Sequence, residues 1–422
     1  MRLNLLAAVV ATALLPLSAN ATTGYFQHGY GIMSKGMGGV GIALPQDSLA
    51  GAINPAGMAW VGNRIDGGLD WFSPSRGSEI VGNIFPGVSG TYDGNGRKNF
   101  LLPELGFNRM VNPNLALGVS LYGNGGMNTD YKNSPLRGFG GSNPSGVDLM
   151  QIFISPSVAW KAGNHSFGAA LNIAHQQFAA QGLEPFNNAP TSSSPGNVTN
   201  RGRDTSNGLG VRVGWTGQVA SNVTLGATYQ TKTRMSKFDK YKGLFADQGG
   251  FDIPENYGVG IAVKATPKLT IAADIEQINY SKVKSVGNTV NCLFAGACQL
   301  GASNGAGFGW RDTTVYKIGL AYDVSPALTL RGGFATLKQP IQPSQTFFNI
   351  LAPGVVQDHY TLGATWRTSK QAEWSFSFMH APEVRVNGAG SIPPGAPPGF
   401  GGGEANLRMK QTALGVGFGW KY

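Results

Sequence analysis

Strict alternation at the C-terminal end of the chain is the feature that most limits its fold. Thr412, Leu414, Val416, Phe418, Trp420 and Tyr422 fall on one face of an extended strand, and Gln411, Ala413, Gly415, Gly417, Gly419 and Lys421 on the other. Successive strand side chains point to opposite faces, so one face here is greasy and the other small or polar. The pattern recurs in Leu115–Leu117–Val119–Leu121, in Phe167–Ala169–Leu171–Ile173 and in Val211–Val213–Trp215. It recurs again in Leu269–Ile271–Ala273–Ile275, Tyr316–Ile318–Leu320–Tyr322, Leu362–Ala364–Trp366 and Trp374–Phe376–Phe378. A soluble β-sandwich also alternates, so the connections must decide.

Short turns fall near Asn112-Pro113-Asn114, Gly163-Asn164, Ser221-Asn222, Pro267-Lys268, Ser325-Pro326 and Lys370-Gln371. Between them lie long polar stretches, roughly 74–97, 125–146, 181–206, 235–255, 287–307, 341–356 and 388–404. Tight turns on one side and long loops on the other are the habit of bacterial membrane barrels. Six turns and seven loops join fourteen strands. The expected fold is therefore all-β, a 14-stranded antiparallel transmembrane β-barrel over residues 64–422. A lumen of that size lies between barrels filled by their own side chains and barrels that leave an aqueous channel. Residues 22–63 do not alternate and are rich in Gly and Ala, so they are expected to form a small N-terminal hatch that plugs it.

Residues 1–21 read as a signal peptide. Arg2 supplies a charged start, Leu5 to Leu17 is apolar, and Ala19-Asn20-Ala21 is a small-x-small cleavage site that leaves Thr22 first. No stretch of 18 uninterrupted apolar residues occurs elsewhere. Sixty-three glycines with 10% aromatic and only 13% charged residues also suit a barrel better than a soluble enzyme. The net charge of +10 comes with no basic run, which argues against nucleic acid and suits anionic lipid headgroups. Cys292 and Cys298 lie in a polar loop of an exported chain, so a disulfide is expected; the Cys-x-x-Cys of a catalytic dithiol is absent.

Enzymatic readings find little support. Gly36-Met37-Gly38-Gly39-Val40-Gly41 fits G-x-G-x-x-G, but no βαβ unit surrounds it, and close plug–wall packing explains its glycines better. No G-x-S-x-G elbow appears, and the five histidines form neither a metal spacing nor a pattern with serine. No catalysis, metal or cofactor is expected.

The expected hatch contains Gly24-Tyr25-Phe26-Gln27, Ser34-Lys35-Gly36-Met37-Gly38-Gly39, Asp47-Ser48-Leu49-Ala50 and Asn54-Pro55-Ala56-Gly57-Met58. These four segments resemble those of the FadL family of outer-membrane long-chain fatty-acid and hydrophobic-compound transporters. Trp310-Arg311-Asp312 and Leu328-Thr329-Leu330-Arg331-Gly332-Gly333 extend the likeness along the barrel. The resemblance implies a passive transporter in the bacterial outer membrane. Cargo would bind in the lumen, the hatch would shift, and cargo would leave sideways through the wall. It also implies a hatch end (Asn54, Pro55, Ala56, Gly57) beside an inward kink in the third barrel strand, which here ends Tyr122-Gly123-Asn124-Gly125-Gly126. Independently, proline restricts the residue before it, and the Asn54 amide can bond a neighbouring strand.

Tyr25 and Phe26 are candidates for the hatch aromatic that reaches the binding site. Arg311, Lys317 and Arg331 share an expected lumen-facing parity and could meet a carboxylate, or simply pair with Asp274, Glu276 or Asp312. By the resemblance, Arg311 falls where the family places a headgroup lysine. Apolar loop residues such as Leu244, Phe245, Phe251, Phe347, Phe348, Ile350 and Leu351 could form a capture groove or pack on one another. Expected partners are a hydrophobic small molecule, fatty acid or hydrocarbon, with outer-membrane lipid and lipopolysaccharide around a monomer. Aromatic hydrocarbons are the alternative cargo; a general porin or an adhesin is the alternative class.

Overall fold

The structure, a computed structural model, describes residues 23–395 and 399–422; the expected signal peptide and Thr22 lie outside the described residues. The strands in chain order are β1 (Arg64–Val81), β2 (Gly90–Asp93), β3 (Phe100–Asn112), β4 (Leu115–Asn128), β5 (Gly146–Ala162), β6 (His165–Gln181), β7 (Asp204–Ala220) and β8 (Val223–Gln230). They continue with β9 (Arg234–Met235), β10 (Asn256–Lys264), β11 (Leu269–Ile278), β12 (Thr313–Ser325), β13 (Leu328–Leu337), β14 (His359–Arg367), β15 (Ala372–Val386) and β16 (Glu404–Lys421). Each wall strand pairs antiparallel with its neighbours, and β16 returns to β1 with Arg64 opposite Lys421 and Val81 opposite Glu404. Two short strands stand off the wall, β2 on β1 and β9 on β7, which leaves a closed barrel of fourteen.

Period two predicted the outside of this barrel well. Leu414, Val416, Phe418, Trp420 and Tyr422 all face out, as do Tyr316, Ile318, Leu320 and Tyr322. Leu362 is 62% exposed and Trp366 54%, which would be costly in water but is at home in lipid. Aromatic residues gather at both rims. Trp160, Trp366, Trp374 and Trp420 sit near the short turns, and Tyr229, Tyr257 and Tyr360 near the loop ends. Among the described residues no helix is long and apolar enough to cross a membrane, which says nothing about crossing by strands.

β1 runs farther than the alternation alone suggests. It passes through Pro74 to Val81, into a stretch expected to be loop. Pairing of β1 with β3 stops at Phe72–Phe100 and pairing with β2 starts at Gly77–Asp93. Pro74 falls between them, where β1 has a free edge on that side and a missing N–H is tolerated.

The loops fold over one end of the barrel. Leu244, Phe245, Phe251, Phe347, Phe348, Ile350 and Leu351 are all buried. Phe245 packs on Phe251 and Phe178 with ring centroids 4.8 and 4.6 Å apart. These side chains therefore form the interior of a cap and not an exposed groove, because the loops supply apolar partners for one another. Cys292 and Cys298 are joined by a disulfide inside the loop between β11 and β12, with Cα atoms 5.2 Å apart.

Candidate functional site

The chain before β1 lies within the barrel. Every residue from Thr23 to Ala43 is buried. Its contacts go round the wall. The Gly38 N–H donates to Thr361 Oγ1 on β14 at 2.7 Å, and Gly41 and Ile42 N–H donate to Asp274 on β11 at 2.8 and 3.1 Å. Ser48 bonds Asp66 on β1 through its N–H and its hydroxyl. A Cβ at Gly36 would lie 2.8 Å from Gly363 Cα, and one at Gly38 2.8 Å from Ile318 O. The glycines that resemble a dinucleotide loop are thus the ones that let this segment lie flat on β12 and β14.

Asn54 fastens the far end of the segment. Its Nδ2 donates to Ile42 O at 2.8 Å and to Trp215 O on β7 at 3.0 Å, while its Oδ1 accepts from Ala56 N at 3.2 Å. A Cβ at Gly214 would fall 1.8 Å from that Oδ1, and one at Gly168 2.4 Å from Ala56 N. Asn54-Pro55-Ala56 therefore sits against β6 and β7, where two glycines admit it, and not beside the bend in β4. Gly57 closes the turn, donating to Asn54 O at 2.9 Å. Replacing Asn54 with Ala orphans buried carbonyls and is expected to loosen this end by about 2 kcal/mol. The expected readout is faster proteolysis around residues 44–63 in a barrel that still folds.

The bend in β4 is a gap in the wall. β3 and β4 pair from Asn112–Leu115 up to Leu105–Leu121 and no farther. Above that point β3 stays with β1 through Phe100–Phe72, while β4 stays with β5 through Asn128–Asp148. The β4–β5 register slips between Gly123 and Gly125, leaving Asn124 as an extra residue. The N-terminal segment takes the edge that β3 has abandoned. Gly126 N–H donates to Tyr25 O at 2.9 Å, Gln27 N–H to Asn124 O at 3.2 Å, and Gln27 Nε2 to Gly123 O at 2.7 Å. Tyr30 Oη adds a bond to Asn124 Oδ1 at 3.0 Å.

Tyr25 and Phe26 stand at the centre of an aromatic group. Tyr25 stacks on Phe26 at 5.4 Å and meets Tyr280 edge-on at 5.2 Å and Trp310 at 5.8 Å. The Tyr280 hydroxyl donates to Thr23 O. Burial pushes the Tyr25 and Tyr280 phenols well above their ordinary range, so both stay neutral. Burial, followed by the neighbouring His359 and Lys35, holds the His28 imidazole well below its usual value. Behind the segment lies a small cavity of about 20 Å³, lined by Phe26, Gln27, Tyr30, Arg212, Glu276 and Lys317 among others.

The three candidate cations are placed differently from one another. Lys317 faces the lumen and pairs with Glu276 at 2.9 Å. Arg331 also faces in, bonding Gln46 Oε1 at 3.0 Å and Thr365 Oγ1 at 2.6 Å. Arg311 does not share their parity: β12 begins only at Thr313, and Arg311 is an exposed loop residue that bonds Gln342 Oε1 at 2.6 Å. Asp312 accepts from Ser281 N–H instead of a cation. Arg76, which no reading of the sequence singled out, is buried to 2% exposure near the gap. A segment holding Pro74 and Gly77 reads as loop, which hid it.

No curated protein matches this sequence. Among solved structures, the chain is similar to a Pseudomonas aeruginosa FadL homologue, with a TM-score of 0.69 and 17% identity over 94% of this chain and 99% of that one. It is similar to the Pseudomonas putida toluene transporter TodX, with a TM-score of 0.70 and 17% identity over 95% and 100% of the two chains. For the Ralstonia pickettii toluene transporter TbuX the values are 0.64 and 17%, over 94% and 99%. At these identities the likeness is one of fold. The sequence profile of the outer membrane protein transport protein family (OMPP1/FadL/TodX) matches residues 31–422. A profile match over nearly all of the barrel and most of the segment within it places this chain in that family of outer-membrane transport proteins.

Proposed function

We propose that the protein carries long-chain fatty acids, or molecules of similar greasiness, passively across the outer membrane, with residues 22–63 as a hatch. The observation that carries this reading is the gap between β3 and β4 with Tyr25–Gln27 lying in it. A wall that closes by borrowed hydrogen bonds can open without unfolding, and a greasy cargo leaving there enters lipid without crossing water. In this reading cargo enters from the loop end and reaches a pocket beside Tyr25 and Phe26. A shift of the N-terminal segment then opens a path, and cargo exits past Gly123–Gly126. No step involves catalysis, and the driving force is the concentration gradient. Lipid and lipopolysaccharide surround a monomer.

Aromatic hydrocarbons remain the second reading of the cargo, supported by the likeness to two toluene transporters and by the engagement of Lys317 with Glu276. Radiolabelled oleate uptake in a strain lacking its own fatty-acid transporter separates the two. Restored uptake is the expected result. A folded protein in the outer membrane that restores toluene entry but not oleate uptake would overturn the fatty-acid reading.

A further inference from the structure

The lipid-facing row of β5 ends in a charge. Trp160, Val158 and Ile154 are exposed on the outer face, and Asp148 stands on that same face nearer the loops. Its cross-strand neighbours are Asn128 on β4 and Ala179 on β6. Asp148 lies twelve residues along β5 from Trp160. In a barrel whose strands tilt by about 40°, that is about 30 Å along the axis. The lipid-facing apolar band of such a barrel is only about 25 Å tall, and its long loops are extracellular. Asp148 therefore sits just above the band, at the headgroups of the outer leaflet. The neighbouring rows turn polar as well. Ile173 gives way to His175 and Gln177 on β6, and Leu209 to Asn207 on β7, with His175 Nδ1 2.8 Å from Asn207 Oδ1.

Loops roof this position. Arg97, between β2 and β3, and Arg203, just before β7, reach the same oxygen, Asp148 Oδ2, at 3.4 and 2.8 Å. Arg97 passes over the top of the gap to do so, since it precedes β3 while Asp148 belongs to β5. Here lies a cavity of about 210 Å³, lined by Arg97, Asp130, Asp148, Gln181, Asn200 and Arg203 among others. The cavities beside Arg76 and behind Tyr30 hold about 20 Å³ each, room for a single water. Two guanidiniums carry ten N–H donors. Arg97 uses one of them, on Asp148, and Arg203 uses two, on Asp148 and on Gln177 Oε1 at 3.3 Å. Most of the fork of each arginine is thus open to a ligand. Exposed Arg234, opposite Leu209, and Lys240, whose Nζ donates to Arg203 O at 2.7 Å, add positive charge beside the cavity. Asp130 and Asp204 offset part of it, and Asp204 Oδ2 accepts from Lys240 N–H at 2.8 Å.

We propose that this cavity is a receptor for the phosphorylated sugar headgroup of lipopolysaccharide. Arginine forks suit phosphate because they offer paired, charged donors. Asp130, Gln181 and Asn200 supply the acceptors and donors that sugar hydroxyls need. Below them the outward row of Ile154, Ile173 and Leu209, in register across three strands, takes acyl chains. A glycerophospholipid brings the phosphate without the sugar ring, so it answers fewer of these groups. Held by Arg97 on one side and Arg203 on the other, the headgroup ties the loops across the top of the opening between β3 and β4. The inference rests on the reading that lipopolysaccharide surrounds the barrel, and it does not depend on the cargo.

The test is native mass spectrometry of the full mature protein in non-ionic detergent. The probes are lipid A (the diphosphorylated disaccharide anchor of lipopolysaccharide), lipid A stripped of both phosphates, and phosphatidylglycerol. The wild-type protein is expected to hold lipid A roughly 10- to 100-fold more tightly than either of the others. Arg97→Gln with Arg203→Gln should abolish that preference, and Arg97→Lys with Arg203→Lys should keep part of it. Arg311→Gln, in a different loop, should change nothing. Lipid A held no better than its phosphate-free form or than phosphatidylglycerol overturns the inference, as does a preference that survives the double glutamine variant. Displacement of lipid A by inorganic phosphate at equal concentration would mark a free-anion site and overturn it too. The wild-type comparison decides even if a variant fails to fold. Oleate uptake separates this inference from the transport reading. Uptake restored by a protein with no preference for lipid A leaves transport standing and removes the receptor. Tight, phosphate-dependent binding of lipid A by a protein that restores no uptake does the reverse.

Discussion

Replacing Gly125 with valine is expected to leave the wall of the barrel open. A Cβ at Gly125 would lie 1.8 Å from Tyr25 O and 2.8 Å from its carbonyl carbon. That atom is fixed by the backbone, so no rotamer relieves the clash, and the N-terminal segment must withdraw. It then loses the Gly126–Tyr25 and Gln27–Asn124 backbone bonds and the Gln27–Gly123 side-chain bond. At about 1 kcal/mol each, three such bonds amount to roughly 3 kcal/mol, enough to move a closed segment to a mostly free one. The wall itself survives, because Gly125 keeps its register with Gln151 on β5. The measurements are cleavage around residues 23–30 by added protease and entry of hydrophobic antibiotics into cells carrying the variant, both expected to rise at least about tenfold. Gly123→Ala is the control. The nearest atom to its Cβ is Gln27 Nε2 at 3.1 Å, the end of a flexible side chain, so little should change. A Gly125→Val protein as tight and protease-resistant as the wild type would mean that Tyr25–Gln27 does not close the gap.

The sequence shows the wall of this barrel more clearly than the machinery inside it, and the reason is periodicity. Outward rows such as Tyr316–Tyr322 face a uniform solvent, so composition alone marks them. The turns at Asn112–Asn114 and Gly163–Asn164 are equally plain, since a hairpin needs local chemistry only. Inside, each side chain answers to partners far along the chain. The glycines at 123, 125 and 126 could be read as a bend, and Asn54 as an amide reaching a strand, because Gly and Asn-Pro carry their constraint locally. The place where Asn54 lands could not be read, since it depends on Gly168 and Gly214 making room. Parity carried Lys317 and Arg331 into the lumen but failed for Arg311, because a strand must have begun before parity means anything. The apolar loop residues were legible as a cluster, but not as the inside of a cap. Arg76 was missed because its strand continues past a proline only where a neighbouring strand has stopped.

Lys35 gives the second large effect, and it follows from that same distance in sequence. Its Nζ lies 3.2 Å from Asp70 Oδ2 on β1 and 3.1 Å from Glu104 Oε2 on β3, all three nearly inaccessible. Burial alone would lower the pKa of this amine, but the Asp70 and Glu104 carboxylates hold it above the ordinary lysine value, so it stays charged. Glu104 also accepts from Gly31 N–H at 3.2 Å. Glu104 is the first residue of β3 beyond its last pair with β4, so it stands on one lip of the gap. Tyr25–Gln27 hold the other lip, and a single buried segment therefore joins both. Lys35→Met strands two carboxylates in the interior, a loss of about 3–5 kcal/mol. The expected outcome is a barrel that still assembles but melts earlier in detergent and admits hydrophobic antibiotics, as Gly125→Val does. Removing the charges together, as Lys35→Met with Asp70→Asn and Glu104→Gln, should recover most of the melting temperature, because no buried charge is then left alone. Antibiotic entry distinguishes anchoring from mere stability. If the triple variant regains its melting temperature and stays leaky, the ion pairs themselves tie the N-terminal segment to the lip. If it regains both, neutral packing suffices to hold the gap shut. A Lys35→Met protein indistinguishable from the wild type would show that charge has no part in closing it.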